Sequence, residues 1–300
     1  MLRELDMWRC AVVRRPALGL SQADLESESL TWLPPGRRFA FRADPFGLWH
    51  EGRLHIFVEA FDYRTLKGSI EVLICDEHLN VIHQATVLSK PWHLSYPFVF
   101  EADGEFWMLP EARRSGELTL YRAPRFPDSW EAEVRIDIAS DGVDATPLRH
   151  GGRWWLFYAG PASTRGRWEL NVAFADRLTG PWRAHPMNPV RTGPVTRPAG
   201  TPVVRSDGAI DLPLQDCSKT YGGSIRRLEI RRLDEAHFDA EEFAWLEPSP
   251  ILRPYTDGLH TLAAVGDVTL IDCKFIDRSI AANLVRQRGS LARRARQWRS

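Results

Sequence analysis

Two stretches of the chain follow one template. FRADPFGLWHEGRLHIFVEA (Phe41–Ala60) and HLSYPFVFEADGEFWMLPEA (His93–Ala112) align Pro45 with Pro97, Phe46 with Phe98, Gly52 with Gly104 and Glu59 with Glu111. An internal repeat constrains architecture more than any local propensity, because every copy must fold as the same supersecondary unit. Further copies follow. DATPLRHGGRWWLFYAG (Asp144–Gly160) is a clear third, AGTPVVRSDGAIDLPLQD (Ala199–Asp216) a weaker fourth, and GLHTLAAVGDVTLIDCK (Gly258–Lys274) a fifth. Their turn glycines, Gly52, Gly104, Gly152, Gly208 and Gly266, are separated by 52, 48, 56 and 58 residues.

Each unit begins with an apolar run, a glycine-containing turn and an aromatic or aliphatic strand, which is the pattern of a β-hairpin. GSIEVLICDE (Gly68–Glu77), GELTLYRA (Gly116–Ala123), WELNVAFAD (Trp168–Asp176) and IRRLEIRRL (Ile225–Leu233) supply later strands. Four strands per unit of about fifty residues describe a propeller blade. The expected fold is all-β: a five-bladed β-propeller over residues 1–278, followed by a basic tail with helical spacing over residues 279–300. MWRCAVVRR (Met7–Arg15) precedes the first unit, and the fifth is one strand short. Lending that strand to the fifth blade closes the ring and removes free sheet edges. A pair of β-sandwich domains is the rival architecture, and the five-fold spacing argues against it.

Composition narrows the class. Apolar residues make up 44% and charged residues 26%, as in a soluble globular protein. The twelve Trp and fourteen Phe suit strands and the stacking of sugar faces. The four cysteines, Cys10, Cys75, Cys217 and Cys273, are scattered without metal-finger spacing, as expected in a reducing compartment. MLRELDMWRCAVVRR has no apolar core like that of a signal peptide, and no apolar run is long enough for a membrane span, so the chain reads as cytoplasmic. The nine His lack HxH or HxxxH spacing, and no Walker loop, dinucleotide fingerprint or GxSxG is present, so neither metal nor cofactor is expected.

Formal charge is zero but uneven: residues 279–300 hold six Arg and no acid, leaving 33 basic against 39 acidic side chains in residues 1–278. The acidic body disfavours nucleic acid as a partner. In the tail, Leu284, Leu291, Ala295 and Trp298 fall near helical spacing among the arginines, as in a segment resting on anionic lipid; a solvated tail is the alternative.

The repeat also says where polar residues gather. In a propeller the first strand of each blade lines the central channel and its antiparallel neighbour returns to the same mouth. Positions 44 and 59 mark the two ends of the first hairpin, and the same offset of fifteen joins Tyr96 to Glu111, Asp144 to Ala159, Gly200 to Gln215 and Gly258 to Cys273. One rim should therefore carry Asp44, Glu59, Glu111, Asp144, Gln215, Asp216, His260 and Asp272, with His93 and Arg197 nearby. Strands disfavour Asp and Glu, and clustered carboxylates push one another's pKa values apart. One carboxyl kept protonated beside another kept ionised is what glycoside chemistry needs. Asp44, Glu111 and Asp144 are the catalytic candidates. Glu59, His93, Tyr96, Arg197, Gln215, Asp216, Tyr221 and His260 are the candidates for binding a ligand. Structural roles compete: Asp44-Pro45 also suits a strand-entry turn, Glu59 and Glu111 could accept N–H groups between blades, and a lone His is commonly a satisfied buried one.

FRADPF, HLSYP, MLPEA, LYRAPRFPDSW, GPWRAHPMNPV, TRPAG, LQDC, YGGSI and GLHTL together resemble the N-terminal domain of plant glucosamine inositolphosphorylceramide transferases and its free-standing bacterial relatives, from about Trp8 to Ile276. That domain is similar in turn to the five-bladed propellers of arabinanase- and fructanase-type glycoside hydrolases. The resemblance implies that Asp44 is base or nucleophile and that Glu111 is the nearest match to the acid, although its blade differs. Tyr96 stands where those enzymes carry a second Asp. Two functions follow: a carbohydrate-active propeller acting on a glycosidic or glycosyl-phosphate bond in surface-glycan or glycolipid assembly, or a non-catalytic module that binds a sugar or sugar nucleotide for a partner glycosyltransferase.

Overall fold

The computed structural model describes residues 4–27, 30–138, 142–161 and 168–297, without the side chains of 114 and 289–297. Five antiparallel sheets follow one another around the ring. The first blade is Ala40–His50, Arg53–Asp62, Lys67–Cys75 and Val81–Leu88, and the second is Ser95–Ala102, Glu105–Glu111, Leu118–Arg125 and Ser129–Ile136. The third blade runs Val143–His150, Arg153–Pro161 and Trp168–Ala175, with the short outer pieces Arg183–Ala184 and Arg191–Gly193. In the fourth blade the innermost strand is split into Val195–Pro198 and Val203–Val204, and Ile210–Asp216, Ser224–Leu233 and Phe238–Leu246 complete it.

The fifth blade has only Gly258–Val265 and Val268–Asp277 from its own part of the chain. Leu5–Val13 pairs with Val268–Asp277 along its whole length, and Leu30–Trp32 adds the outer strand. The N-terminus therefore lends two strands, one more than the sequence pattern indicates. The helix Gln22–Ser27 lies between them, started by Ser21, whose hydroxyl accepts the Asp24 N–H at 3.2 Å.

The inner hairpins of the first three blades close on two-residue turns: Glu51-Gly52, Asp103-Gly104 and Gly151-Gly152 all have positive φ at both positions. That is the type I′ geometry whose twist matches the strands, and glycine at the second place is why the repeat carries one there. Alternation along each strand then feeds two cores. Trp154, Leu156 and Tyr158 pack against Leu109, Leu120 and Ile136 of the second blade, while Trp155 and Phe157 pack against Leu212, Leu228 and Ile230 of the fourth. With both faces buried, the strand reads as an unbroken apolar run. Each such side chain contributes about 1.5–3 kcal/mol relative to exposure.

A helix over Ile280–Gln297 ends the described chain. Ala282 is buried in a cluster with Leu5, Trp8, Phe41 and Tyr63, and Val285 packs against it. Among the described residues no helix is long and apolar enough to cross a membrane.

Candidate active site

The site is built where blades enter the ring. Asp44, Tyr96 and Asp144 occupy the same place in three successive blades, each in a two-residue irregularity of the first strand, and each has positive φ (50°, 46° and 51°). This backbone is unfavourable for a side-chain-bearing residue unless surroundings fix it. Its consequence is an N–H that leaves the ladder, and in each case a carboxylate from the preceding blade accepts it. Asp272 Oδ2 takes the Asp44 N–H at 2.8 Å, Asp44 Oδ2 takes the Tyr96 N–H at 3.0 Å, and Glu111 Oε2 takes the Asp144 N–H at 3.3 Å. The acids of the repeat thus stitch blade to blade, and doing so aims them at one cavity.

That cavity holds about 260 Å³. Asp44, Glu59, Glu111, Asp144, Arg197 and His260 line it. Arg197 grips Asp144 with Nε at 2.6 Å from Oδ2 and Nη2 at 3.1 Å from Oδ1, and the same Nη2 is 3.9 Å from Glu111 Oε2. Its guanidinium lies between the rings of Tyr221 and Trp168, at 5.1 and 5.5 Å from their centroids. On the opposite side, His260 places Nδ1 2.8 Å from Asp272 Oδ1 and Nε2 3.5 Å from Asp44 Oδ1, while Trp8 stacks on its ring at 3.7 Å. His93 Nδ1 accepts the Gly68 N–H at 2.8 Å, which leaves Nε2 facing Glu59 at 3.6 Å.

Burial and crowding separate these carboxyls. Desolvation, reinforced by Asp144, pushes Glu111 up to about 8 against the partial relief of Arg197. Desolvation also raises Asp44, but the His260 charge pulls it back and it stops at about 6. Glu59 is driven well above the carboxylate range by burial and by Asp44 and Glu111, and it shares a hydrogen bond with Asp44. Burial opposes the charge on His260, yet Asp272 and Asp44 outweigh it and leave the imidazole above its ordinary value. At neutral pH, then, Asp44 is largely ionised and Glu111 largely protonated across one small cavity.

Of the sequence candidates, Asp44, Glu59, His93, Glu111, Asp144, Arg197, Tyr221 and His260 line this cavity, and Tyr96, Gln215 and Asp216 do not. The Tyr96 ring is buried in the channel, where its hydroxyl is 2.9 Å from Thr146 Oγ1 and accepts the Gly200 N–H at 2.9 Å. Gln215 sits behind Asp144, donating Nε2 to Oδ2 at 3.1 Å. Asp216 turns aside to Ser218 and Arg226. The register offset of the first three blades also fails in the last two. Gly258 pairs with Lys274 and His260 occupies the irregular place of the fifth blade, while Gly200 bridges to Leu262 of that blade. Gly200 has φ of 141°, and a Cβ there would lie 2.0 Å from the Leu262 carbonyl oxygen.

Sequence reasoning missed Trp8, which lies outside the repeats on a borrowed strand, and Lys274. The Lys274 ammonium is fully buried, 5.3 Å from the Trp8 ring, and donates to Thr220 Oγ1 at 3.2 Å and to the Tyr221 carbonyl. It holds the loop that presents Tyr221. Asp44, His260 and Asp272 bring ligand-type atoms within 4.8 Å of one another, the one such group among the described residues. Asp272, however, already accepts from the Asp44 and Thr261 N–H groups and the Thr261 hydroxyl, besides facing His260. Those are the bonds of a carboxylate that orients an imidazole.

Residues 33–247 match the family described as glucosamine inositolphosphorylceramide transferase 1, N-terminal. The chain belongs to that family. Glucosamine inositolphosphorylceramide transferase 1 of Oryza sativa subsp. indica is 33% identical over 204 residues, 66% of this chain and 27% of the rice protein. The Arabidopsis thaliana protein of that name is 32% identical over 203 residues, 66% and 26% of the two chains. The chain therefore spans about a quarter of the length of these relatives. Among solved structures, Zg3597, a family 117 glycoside hydrolase from Zobellia galactanivorans, superposes with a TM-score of 0.58 over 92% of both chains at 12% identity. An exo-1,5-α-L-arabinanase from a bovine ruminal metagenomic library gives 0.51 over 71% of this chain and 86% of that one, also at 12% identity. At that identity these two similarities establish the propeller fold.

Proposed function

We propose that this propeller acts on a glycosyl unit held in the central cavity. Asp44 serves as base or nucleophile and Glu111 as general acid. The observation that carries the reading is the divided titration of two carboxyls in one cavity, Asp44 at about 6 and Glu111 at about 8. Glu111 delivers its proton to the leaving oxygen, while Asp44 takes a proton from the acceptor or attacks the anomeric carbon. Arg197 fixes Asp144 and with it the Asp144 N–H that Glu111 accepts, so the acid is positioned by the pair. Tyr221, 43% exposed, offers a face for a sugar ring, while Trp8 is buried behind the stacked His260 ring. The family membership and the glycosidase-type fold support a carbohydrate ligand. The acceptor, whether water, phosphate or another sugar, is part of the reaction to be found, as is any role in surface-glycan or glycolipid assembly. The C-terminal helix, in this reading, rests on the anionic cytoplasmic face of a membrane.

Screening sugar nucleotides, glycosyl phosphates and oligosaccharides by thermal shift, followed by product analysis, tests the reading. Asp44→Asn and Glu111→Gln are each expected to bind a stabilising ligand and to lose turnover by about 10²–10⁴-fold. Full turnover by both variants overturns the assignment. A second reading, a binding module serving a partner glycosyltransferase, is favoured by the match to only the N-terminal part of the longer relatives. It predicts a ligand that stabilises the parent and both variants and is never converted.

A further inference from the structure

Glu59 and His93 line the central cavity beside Asp44 and Glu111, yet neither is used by the acid and base chemistry proposed for it. His93 enters the second blade with its ring held in place. Nδ1 lies 2.8 Å from the Gly68 nitrogen, and the Phe61 ring meets the imidazole edge-on at 5.6 Å and 82°. Only glycine permits this approach: a Cβ on Gly68 would be 2.9 Å from His93 Nδ1 and 2.4 Å from the Leu94 carbonyl oxygen. A backbone amide can only donate, so Nδ1 is the bare nitrogen and the ring proton is on Nε2. That proton faces Glu59 Oε1, 3.6 Å away.

Glu59 lies on Arg53–Asp62, where its strand partner is Ala43, and this register sets it beside Asp44. Both carboxyls are buried, Glu59 at 7% and Asp44 at 6% exposure. Asp44, Glu111 and Asp272 all oppose a charge on Glu59, and His93 in its Nε2–H form offers it a donor without a charge. Glu59 therefore keeps its proton and shares it with Asp44 in a hydrogen bond. Asp44 also takes the Tyr96 N–H on Oδ2 at 3.0 Å and faces His260 Nε2 with Oδ1 at 3.5 Å, while Asp272 and Asp144 oppose its charge. Donors from the first, second and fifth blades thus occupy three of the about four lone-pair sites on one carboxylate. They favour the anion where burial and neighbouring acids disfavour it.

We infer that Glu59 is a positioning residue for Asp44: a carboxylic acid that stays neutral, donates its proton as a hydrogen bond to the Asp44 carboxylate, and is turned to do so by the Nε2–H of His93. The two carboxyls hold one proton between them. Asp44 remains the anion that a base or nucleophile must be, and Glu59 does not compete for that part. Glu59 and His93 then serve the reaction through Asp44 and not by gripping the sugar. The inference rests on the proposed role of Asp44 for its chemical meaning only; the hydrogen bonds among the three residues need no ligand.

Nuclear magnetic resonance of the full chain without ligand tests it. Proton–nitrogen spectra of the imidazoles give the tautomer of His93, identified by its loss in His93→Gln. Side-chain carboxyl carbon shifts followed against pH give the titration midpoint of Asp44, identified by its loss in Asp44→Asn. His93 is expected to carry its proton on Nε2 at neutral pH. Glu59→Gln copies the neutral acid, with its amide donating to Asp44 and its oxygen accepting from His93, so the Asp44 midpoint should stay within about 0.3 pH units of the parent. Glu59→Met deletes the donor and should raise that midpoint by about one pH unit. An ionised Glu59 gives the opposite sign, because both variants then remove a like charge and lower the midpoint. A lowered midpoint in either variant, equal midpoints in the two, or a His93 proton on Nδ1 overturns the inference. The tautomer is read in the parent and Glu59→Gln keeps the hydrogen bonds, so the outcome does not hang on the fold of Glu59→Met. Failure of the catalytic reading appears elsewhere, as retained turnover in Asp44→Asn and Glu111→Gln, and moves none of these midpoints.

Discussion

Glu111 is a carboxylic acid held neutral by its surroundings, and that state has a thermodynamic signature. Its pKa rises from the ordinary 4.5 to about 8 on folding, so between these values the folded protein binds a proton that the unfolded chain has released. Stability from this group is full below pH 4.5 and is lost as pH climbs to about 8. Glutamine copies the neutral form, so Glu111→Gln should remove that slope: its melting temperature should gain on the parent steadily from pH 5 to pH 8, and parallel melting curves would disprove the assignment. His260 supplies a second test at the same scale. Its charge holds Asp44 down near 6, so His260→Asn should move the acidic limb of the pH–rate profile upward, while the limb near 8 stays with Glu111. These are properties of a coupled set, and the limbs report the set. Of the groups involved, Asp44 and Glu111 were visible in the sequence because a repeat makes an acid at a strand end conspicuous. Trp8, pressed against His260, was not: the place of its strand in the fifth blade was legible, but not which side chain of that strand would meet the cavity.

At the scale of elements, the fifth blade depends on strands from the far end of the chain. Leu5–Val13 lies between Val268–Asp277 and Leu30–Trp32, so Ala11 is flanked by Ile271 on one side and Trp32 on the other. Proline there removes a ladder N–H in an interior strand, where proline is not tolerated. Ala11→Pro should therefore open the ring at its seam, lowering the urea midpoint and broadening the transition. The same change at Ile82, half exposed on the outer strand of the first blade, should do much less. Equal effects would mean the seam is not what closes the molecule. The five hairpins, their turns and this closure were legible because β-periodicity and turn glycines are local signals. The register of the last two blades was not. Val195–Pro198 and Val203–Val204 are separate pieces of one inner strand, and the intervening residues stretch the interval between turn glycines to 56 without adding an element. Counting from the first three blades then lands on Gly200 and Gly258 where the channel presents other residues. Tyr96, Gln215 and Asp216 were misplaced for a related reason: spacing fixes the end of a strand and not the direction of a side chain there.

For the whole molecule, the decisive arrangement is that the C-terminal helix and the cavity share a wall. Ala282 and Val285 pack into the cluster that contains Trp8, Phe41 and Tyr63, all three of which also line the central cavity. Arg278 reaches the Glu4 carboxylate at 2.9 Å and Arg286 the Glu4 carbonyl, so the first turns are fastened to the strand that closes the ring. On the outward side Ile280 is 78% and Leu284 51% exposed, one helical turn apart. Leu291 and Ala295 have side chains outside the described residues, as does Trp298 entirely. Six arginines in residues 279–300 give the segment a charge opposite to that of the body. Near an anionic bilayer each contributes about 1 kcal/mol, an attraction that salt weakens within a Debye length. A chain ending at Asp277 should accordingly co-sediment less with phosphatidylserine vesicles than the full chain, the difference shrinking in high salt and vanishing on neutral vesicles. Because the same truncation uncovers Phe41 and Tyr63, it should also weaken ligand binding in the absence of any vesicle. Undiminished sedimentation would remove the membrane from the picture. Unchanged ligand affinity would show that the helix is a separate appendage, with no part in shaping the cavity wall.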